Sequence, residues 1–134
     1  MGRLVSDSLV PPPCSSSCPG KILIQRDEAT AMPVLMYSKL PPNMAGRSVL
    51  LVDPMLATGG SCVAAIKVLV EAGSAPKDIV FVNIVCCMEG LKALQEAYPE
   101  VRVVTSAVDP ILNEKKYIVP GLGDFGDRYF GTDM

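Results

Sequence analysis

The chain has 134 residues, of which 49% are apolar and 19% charged, as in an ordinary globular domain. Its 12 basic and 14 acidic residues give a net charge of −2, so no global field attracts nucleic acid or an anionic membrane. No apolar run reaches the roughly 20 residues that a membrane span needs, and the N-terminus lacks the apolar core of a signal peptide. We therefore predict a cytoplasmic protein without nucleic-acid or membrane partners.

Residues 1–20 are rich in proline and serine and have no hydrophobic period, which predicts a disordered tail. Met1–Ser6 fits the pattern for N-myristoylation, but the pattern is short and common, so chance is the better explanation. Cys14 and Cys18 have a spacing found in zinc sites. The chain has no histidine and no second well-spaced cysteine pair, so we do not expect a zinc site.

From Lys21 onward the pattern changes to alternating short apolar runs and amphipathic stretches. Ser48–Val52 is continuously apolar, which predicts a strand buried on both faces. Gly73 and Pro99 are natural helix stops. The predicted strands are Lys21–Arg26, Val34–Tyr37, Ser48–Val52, Asp78–Cys86 and Val101–Ala107, and the predicted helices are Ser61–Ala72 and Glu89–Tyr98.

This order of elements predicts an α/β domain over residues 21–134, with a mostly parallel sheet and flanking helices. Right-handed crossovers place the loops that follow the strands along one edge of the sheet, where open α/β folds bind ligands. Cys62, Cys86 and Cys87 lie within apolar stretches of this domain, so we predict that they are buried, reduced thiols.

The segment Asp53–Ser61 leaves a predicted strand and enters a predicted helix. Its two glycines, Gly59 and Gly60, let backbone N–H groups approach an anion near the positive end of the helix, and its hydroxyls add donors. Asp53 suits the hydroxyls of a ribose rather than a phosphate. The segment therefore predicts a cradle for a phosphorylated ribose, and a plain glycine turn capped by Ser or Thr is the alternative.

Two better-known phosphate motifs do not apply. No lysine follows Gly60, which excludes a Walker loop. Gly121–Gly126 matches the dinucleotide fingerprint by letter, but that fingerprint must open a helix within a βαβ unit. Only eight residues follow Gly126, so we predict that neither a helix nor a strand can follow.

Three segments in order resemble the uracil phosphoribosyltransferases, which are type I phosphoribosyltransferases: Asp53–Ser61 with the preceding Val-Leu-Leu-Val, Gln25–Thr30 and Tyr117–Arg128. Pro54 stands where most of that superfamily has a second acid. The resemblance covers Gly20–Met134 and implies a type I phosphoribosyltransferase-like α/β fold. Family members carry further helices, a strand and a pyrophosphate-gripping loop upstream of the segment that begins here at Lys21, so we expect an N-terminally incomplete fold.

The resemblance implies transfer of a phosphoribosyl group from phosphoribosyl pyrophosphate (PRPP) to uracil, giving UMP and pyrophosphate in pyrimidine salvage. The implied PRPP-binding residues are Arg26, Asp53, Pro54, Met55, Leu56, Ala57, Thr58, Gly59, Gly60, Ser61 and Asp124, and the implied uracil-binding residues are Ile118, Gly123, Asp124 and Phe125. Asp124 is the candidate catalytic residue. Without the resemblance, Arg26 is more simply a solvated strand-end charge, and Ile118 and Phe125 are packing residues.

The family further implies Mg²⁺ chelated by the substrate, with no metal ligand from protein side chains, together with a homo-oligomer and regulation by GTP. Two readings from other functional classes stay open. The chain could be a non-catalytic subunit that binds ribose phosphate, or a structural module that assembles with an intact subunit.

Overall fold

The computed structural model describes residues 17–27 and 32–132, without the side chain of Arg26. The predicted tail lies mostly outside this part of the chain, as do Met1–Ser6 and Cys14. The strands are β1 Lys21–Arg26, β2 Pro33–Lys39, β3 Val49–Val52, β4 Met55–Leu56, β5 Ile79–Cys87, β6 Arg102–Asp109, β7 Ile111–Leu112 and β8 Ile118–Val119, and the helices are α1 Gly60–Glu71, α2 Met88–Ala97 and α3 Phe125–Phe130, with a 3₁₀ turn at Pro76–Asp78.

A parallel sheet of four strands forms the centre of the fold. β6 pairs with one edge of β5 along most of its length, while β3 and β4 pair in turn with the other edge. The two long predicted crossovers, β3 to β5 through α1 and β5 to β6 through α2, are both present. The predicted mostly parallel sheet with flanking helices is therefore confirmed.

The two faces of this sheet have different environments because side chains alternate along each strand. Leu51 and Phe81 are buried against the helices, in a cluster that includes Ile66, Leu69 and Leu94. Leu50 and Val52 point the other way and are 67% and 42% exposed. The prediction that the Ser48–Val52 strand is buried on both faces is therefore wrong, since no described element covers its second face.

Helix α1 begins and ends at glycines with positive φ. Gly59 is its N-cap at φ 86°, and Gly73 follows its C-cap at φ 103°. The Ser74 N–H donates to the Leu69 carbonyl at 3.0 Å, which closes the helix end. The predicted helix stop at Gly73 is confirmed.

Within the described residues, no helix is long and apolar enough to cross a membrane.

Two antiparallel ribbons flank the sheet: β1 pairs with β2, and β7 pairs with β8. The first ribbon confirms the predicted strands Lys21–Arg26 and Val34–Tyr37. The C-terminal segment differs from expectation, because α3 begins at Phe125 where the sequence predicted no room for a helix. One and a half turns need only six residues, and the Asp124 carboxylate caps them by accepting from the Asp127 N–H at 3.1 Å. Within the described residues, no strand follows α3.

The cysteines of the domain behave as predicted. Cys62, Cys86 and Cys87 are buried and free. Cys86 is fully enclosed in the main core, and Cys87 lies in a second, smaller cluster. These thiols act as small apolar side chains.

Candidate functional site

The loop predicted to cradle ribose phosphate interrupts a strand at the edge of the sheet. The Asp53 N–H donates to the Val82 carbonyl at 3.2 Å, which extends the pairing of β3 by one step. The chain then rejoins the same edge as β4, where Met55 pairs with Val85. Asp53 and Pro54 therefore stand at a break between two paired strands, at the carboxyl end of β3.

The N-terminus of α1 presents backbone donors to the loop. Gly59, its N-cap residue, adopts the left-handed conformation and has no side chain with which to cap the first turn of the helix. The first N–H groups of a helix have no intrahelical partner and carry its positive dipole end. Room remains around Gly60, because the nearest atom to a Cβ placed there is the Pro33 Cγ at 3.8 Å. This geometry suits an anion such as a phosphate.

Gly90 in the first turn of α2 packs closely against the backbone of the loop at residues 56 and 57. A Cβ at Gly90 would lie 2.5 Å from the Ala57 carbonyl oxygen and 3.0 Å from the Leu56 carbonyl oxygen. A Cβ at Gly59 would in turn lie 2.9 Å from the Gly90 carbonyl oxygen. Our sequence reasoning missed Gly90, although an isolated glycine inside a helical pattern is the signal for such a close approach.

A cavity of about 170 Å³ lies beside this loop. Of the residues predicted to bind PRPP or uracil, it is lined by Asp53, Pro54, Met55, Ser61, Asp124 and Phe125. The remaining lining residues are Ile22, Ile24, Leu51, Val52, Cys62, Ala65, Phe81 and Gly126. The start and end of the loop thus meet the C-terminal segment, although about sixty residues separate them in sequence.

Other predicted site residues do not line this cavity. Leu56 is buried in the main core, and Ile118 is buried in a small cluster with Val85 and Cys87. Met55 and Ala57 pack against that cluster, so the Ile118 side chain supports the loop from below. Gly123 is exposed with φ 73°. Neither Ile118 nor Gly123 forms part of the cavity wall. Each can contribute backbone N–H and C=O groups to a ligand.

Burial raises the pKa of Asp53 to about 6, although a hydrogen bond from the Met55 N–H acts in the opposite direction. Part of the carboxylate's hydration is lost at the cavity wall, and this disfavours the charged form. Burial and, to a lesser extent, the Asp53 charge raise the pKa of the neighbouring Cys62 thiol. The cavity therefore contains one carboxyl group that titrates near neutral pH beside a thiol that stays protonated.

The C-terminal segment is tied to the end of β6. The Gly121 N–H donates to the Asp109 carboxylate at 2.8 Å. Gly121 has φ 55°, and a Cβ there would collide with the Ile118 carbonyl group. The Arg128 guanidinium also donates to the Leu122 carbonyl at 2.8 Å. Asp109 was not predicted from the sequence, because nothing in its local pattern shows a partner twelve residues away.

Replacing Asp109 with alanine is expected to loosen the segment that carries Asp124 and Phe125. A hydrogen bond to a charged group contributes about 1.5–3 kcal/mol. We expect faster amide hydrogen exchange over residues 118–126, with little change at β3. Asp78→Ala, at the opposite end of the sheet, is the control. Unchanged exchange in Asp109→Ala would show that the segment is held by other contacts.

Arg26 lies at the end of β1, where its backbone pairs with Pro33. The Asp27 N–H donates to the Met32 carbonyl at 2.9 Å and continues the ribbon beyond the strand. The Arg26 side chain lies outside the described part of the structure. Its predicted contact with PRPP therefore stays a prediction.

A family model described as uracil phosphoribosyltransferase matches residues 13–132. The chain belongs to the uracil phosphoribosyltransferase family. It is 60% identical over 114 residues to the uracil phosphoribosyltransferase of Dictyostelium discoideum and 56% identical over 117 residues to that of Saccharomyces cerevisiae. These matches cover 85% and 87% of this chain but only 53% and 54% of the relatives. The chain thus spans about half the length of the curated uracil phosphoribosyltransferases that it matches.

A solved structure shares the fold of this uracil phosphoribosyltransferase-family chain. The AQ2163 protein of Aquifex aeolicus superposes with a TM-score of 0.75 at 36% identity. The superposition covers 86% of this chain and 54% of the Aquifex protein. The predicted fold class is therefore confirmed.

Proposed function

We propose that this chain provides the ribose-phosphate and base-binding half of a uracil phosphoribosyltransferase, which converts uracil and PRPP to UMP and pyrophosphate. The observation that carries the proposal is the cavity in which Asp53 and Ser61 meet Asp124 and Phe125. The relatives named uracil phosphoribosyltransferase, at 60% and 56% identity, support the choice of uracil as acceptor.

In this proposal the segment Asp53–Ser61 holds the phosphoribosyl group. The first turn of α1 and the hydroxyls of Thr58 and Ser61 receive the 5-phosphate, and Asp53 accepts hydrogen bonds from the ribose hydroxyls. Arg26 is assigned to the phosphates of PRPP. The support for the phosphate position is the left-handed N-cap residue Gly59, which caps the helix with no side chain of its own.

The base is assigned to the C-terminal segment. Phe125 forms part of the cavity wall and stacks on Tyr129 at a centroid distance of 5.8 Å, which fixes one apolar surface for a planar ring. Backbone groups of Ile118 and Gly123 are assigned to the polar edge of uracil. Asp124, which lines the cavity, is assigned to both the base and the ribosyl substrate and is the candidate catalytic residue. It also caps α3, which holds its carboxylate in place.

Transfer breaks the bond from the ribose anomeric carbon to a pyrophosphate oxygen and forms a bond from that carbon to a uracil ring nitrogen. The proton of that nitrogen passes to the departing pyrophosphate or to solvent. Positive charge develops on the ribose as pyrophosphate departs. The Asp53 and Asp124 carboxylates line the same cavity and can stabilise that charge electrostatically. Catalysis would depend on positioning the two substrates rather than on a protein nucleophile.

The donor set fits a Mg²⁺ ion that arrives with its substrate. The described residues contain no group of three or more potential metal ligands, whereas Mg²⁺ commonly binds through one or two carboxylates, water and substrate phosphates. When bound, the ion supplies charge neutralisation to the departing pyrophosphate. We assign no protein side chain to it.

Homo-oligomerisation, GTP regulation and cytoplasmic location stay predictions. The exposed side chains of Leu35, Met36 and Tyr37 on β2 support homo-oligomerisation.

The test measures binding and turnover separately. We expect the purified chain to bind PRPP in calorimetry and to form UMP from labelled uracil far more slowly than the Dictyostelium relative, since the matched region is about half of that enzyme. Binding without product would favour the non-catalytic subunit reading. Absence of PRPP binding would contradict the proposal, and turnover equal to the relative's would contradict the expected dependence on further chain.

A further inference from the structure

Asn83 is a buried polar side chain near the middle of β5, where it is 5% exposed. Within the described residues, neither its Nδ2 nor its Oδ1 atom has a hydrogen-bond partner. A primary amide can donate two hydrogen bonds and accept two, and burying it with these bonds unmade lowers the stability of the fold. A group of this kind in a folded protein therefore calls for a physical reason.

The strand geometry places Asn83 beside Asp53. Phe81, two residues earlier on β5, is buried against the helices, so alternation along the strand puts Asn83 on the same face of the sheet. Asp53 follows the buried Leu51 by two residues and lies on that face for the same reason. The Asp53 N–H donates to the Val82 carbonyl, so the pairing of the two strands continues to this level. Asp53 and Asn83 are therefore neighbours across the strands.

The backbone of β5 is distorted directly after Asn83. The N–H groups of Ile84 and Val85 both donate to the Pro54 carbonyl, at 3.1 and 3.3 Å. Two residues on one strand thus face one residue on the other, which is the pattern of a β-bulge. Bulges are common next to active sites, where they redirect a side chain. The distortion lies at the break between β3 and β4, where the ribose-phosphate loop begins.

We propose that Asn83 is a positioning residue for Asp53: when the ribosyl substrate is bound, the Asn83 Nδ2 donates a hydrogen bond to the Asp53 carboxylate. The two groups are chemically complementary. A carboxylate can accept about four hydrogen bonds, and the Met55 N–H supplies one of them. A bond from the amide would orient the carboxylate toward the ribose hydroxyls and favour its ionised form. The inference rests on the proposed ribose-phosphate function.

Two other titratable groups line the cavity with Asp53: the Cys62 thiol on α1 and the Asp124 carboxyl of the C-terminal segment. The residues that β1 contributes to the cavity, Ile22 and Ile24, carry no titratable group. The thiol and the second carboxyl are unchanged in every variant below. Their titration, like that of PRPP itself, therefore cancels when each variant is compared with the unchanged chain at the same pH.

The experiment measures PRPP binding by calorimetry for the full chain and for Asn83→Leu, on both sides of the Asp53 pKa of about 6. Above this pKa we expect Asn83→Leu to weaken binding about tenfold, the usual effect of losing a hydrogen bond to a charged group. The difference should shrink as the pH falls and the carboxyl becomes protonated. In the Asp53→Asn background Asn83→Leu should have little further effect, because the charged acceptor is already absent.

Thr105→Val is the matched control. Thr105 pairs with Asn83 from β6, and its hydroxyl donates to the Ala107 carbonyl at 3.0 Å. We expect its PRPP affinity to equal that of the unchanged chain at every pH. Urea denaturation should show Asn83→Leu to be at least as stable as the unchanged chain, since it removes an unpartnered buried amide. Asn83→Val, with a smaller side chain, replaces it if leucine does not fit.

The outcomes separate this inference from the proposed function. If the unchanged chain does not bind PRPP, both are overturned. If it binds PRPP but the Asn83 variants bind equally well, only the inference is overturned. The same holds if they lose the same affinity at every pH and in the Asp53→Asn background, which would indicate a purely structural role. Unfolding of both Asn83 variants would show that the amide is already bonded in the ligand-free fold, and would overturn the inference as well.

Discussion

Asp53→Asn is expected to stabilise the ligand-free protein at neutral pH while weakening its binding of PRPP. Burial raises the pKa of Asp53 from 3.8 to about 6, so ionisation of this group at pH 7 lowers the stability of the folded state. The shift corresponds to at most about 3 kcal/mol, and we expect a gain of roughly 1–2 kcal/mol in the free energy of unfolding because the amide also needs partners. Urea denaturation measures this gain.

The stabilisation should depend on pH with a defined sign. An acid whose pKa is raised on folding destabilises the folded state above that pKa, and this cost disappears as the pH falls through about 6 toward 3.8. The difference between Asp53→Asn and the unchanged chain should therefore be largest above pH 6 and should approach zero only well below pH 3.8. Comparing the two proteins at each pH cancels the titration of the other carboxylates.

Binding should change in the opposite direction. A carboxylate that accepts hydrogen bonds from ribose hydroxyls contributes about 1.5–3 kcal/mol, so Asp53→Asn should weaken PRPP binding by roughly tenfold or more. Glu96→Gln, an exposed acid on α2, is the control and should change neither property. If Asp53→Asn stabilises the fold but leaves calorimetric PRPP binding unchanged, Asp53 is not part of the ribose site. The structural-module reading would then gain support.

The central elements were predictable because their signals are local. The apolar runs around Leu51 and Phe81 fix β3 and β5, and glycines mark both ends of α1. The environment of the second sheet face could not be predicted from the same runs. A continuous apolar run is compatible with burial of both faces of a strand. Whether Leu50 is buried depends on a neighbouring layer, which the run itself does not specify.

The candidate site was likewise predictable in its local pattern and not in its contacts with distant parts of the chain. The order of glycines and hydroxyls in residues 53–61 predicts an anion loop, and the structure gives its helix terminus the expected geometry. The partners of the loop are distant in sequence. Gly90 supports it from α2, and Asp109 holds the segment that leads to Asp124. Such contacts depend on how the elements pack, so no local pattern contains them.

Gly90→Ala is expected to destabilise the protein, although helix propensity alone predicts the opposite. Replacing an interior helical glycine with alanine normally stabilises by about 1 kcal/mol. Here the added Cβ would lie 2.5 Å from the Ala57 carbonyl oxygen, which belongs to the backbone and cannot turn away. Either α2 or the loop must shift. Overpacking of this kind costs about 1–3 kcal/mol, so we expect a net loss of unfolding free energy and weaker PRPP binding.

Gly60→Ala provides a matched control, because it also places alanine in the first turn of a helix but with 3.8 Å of room. Its free energy of unfolding should stay unchanged or rise slightly. The contrast between the two glycines separates a steric effect at Gly90 from any general effect of glycine on the unfolded chain. If Gly90→Ala is as stable as Gly60→Ala and binds PRPP normally, α2 does not hold the loop in position. The loop would then depend on β4 and the Ile118 cluster for its support.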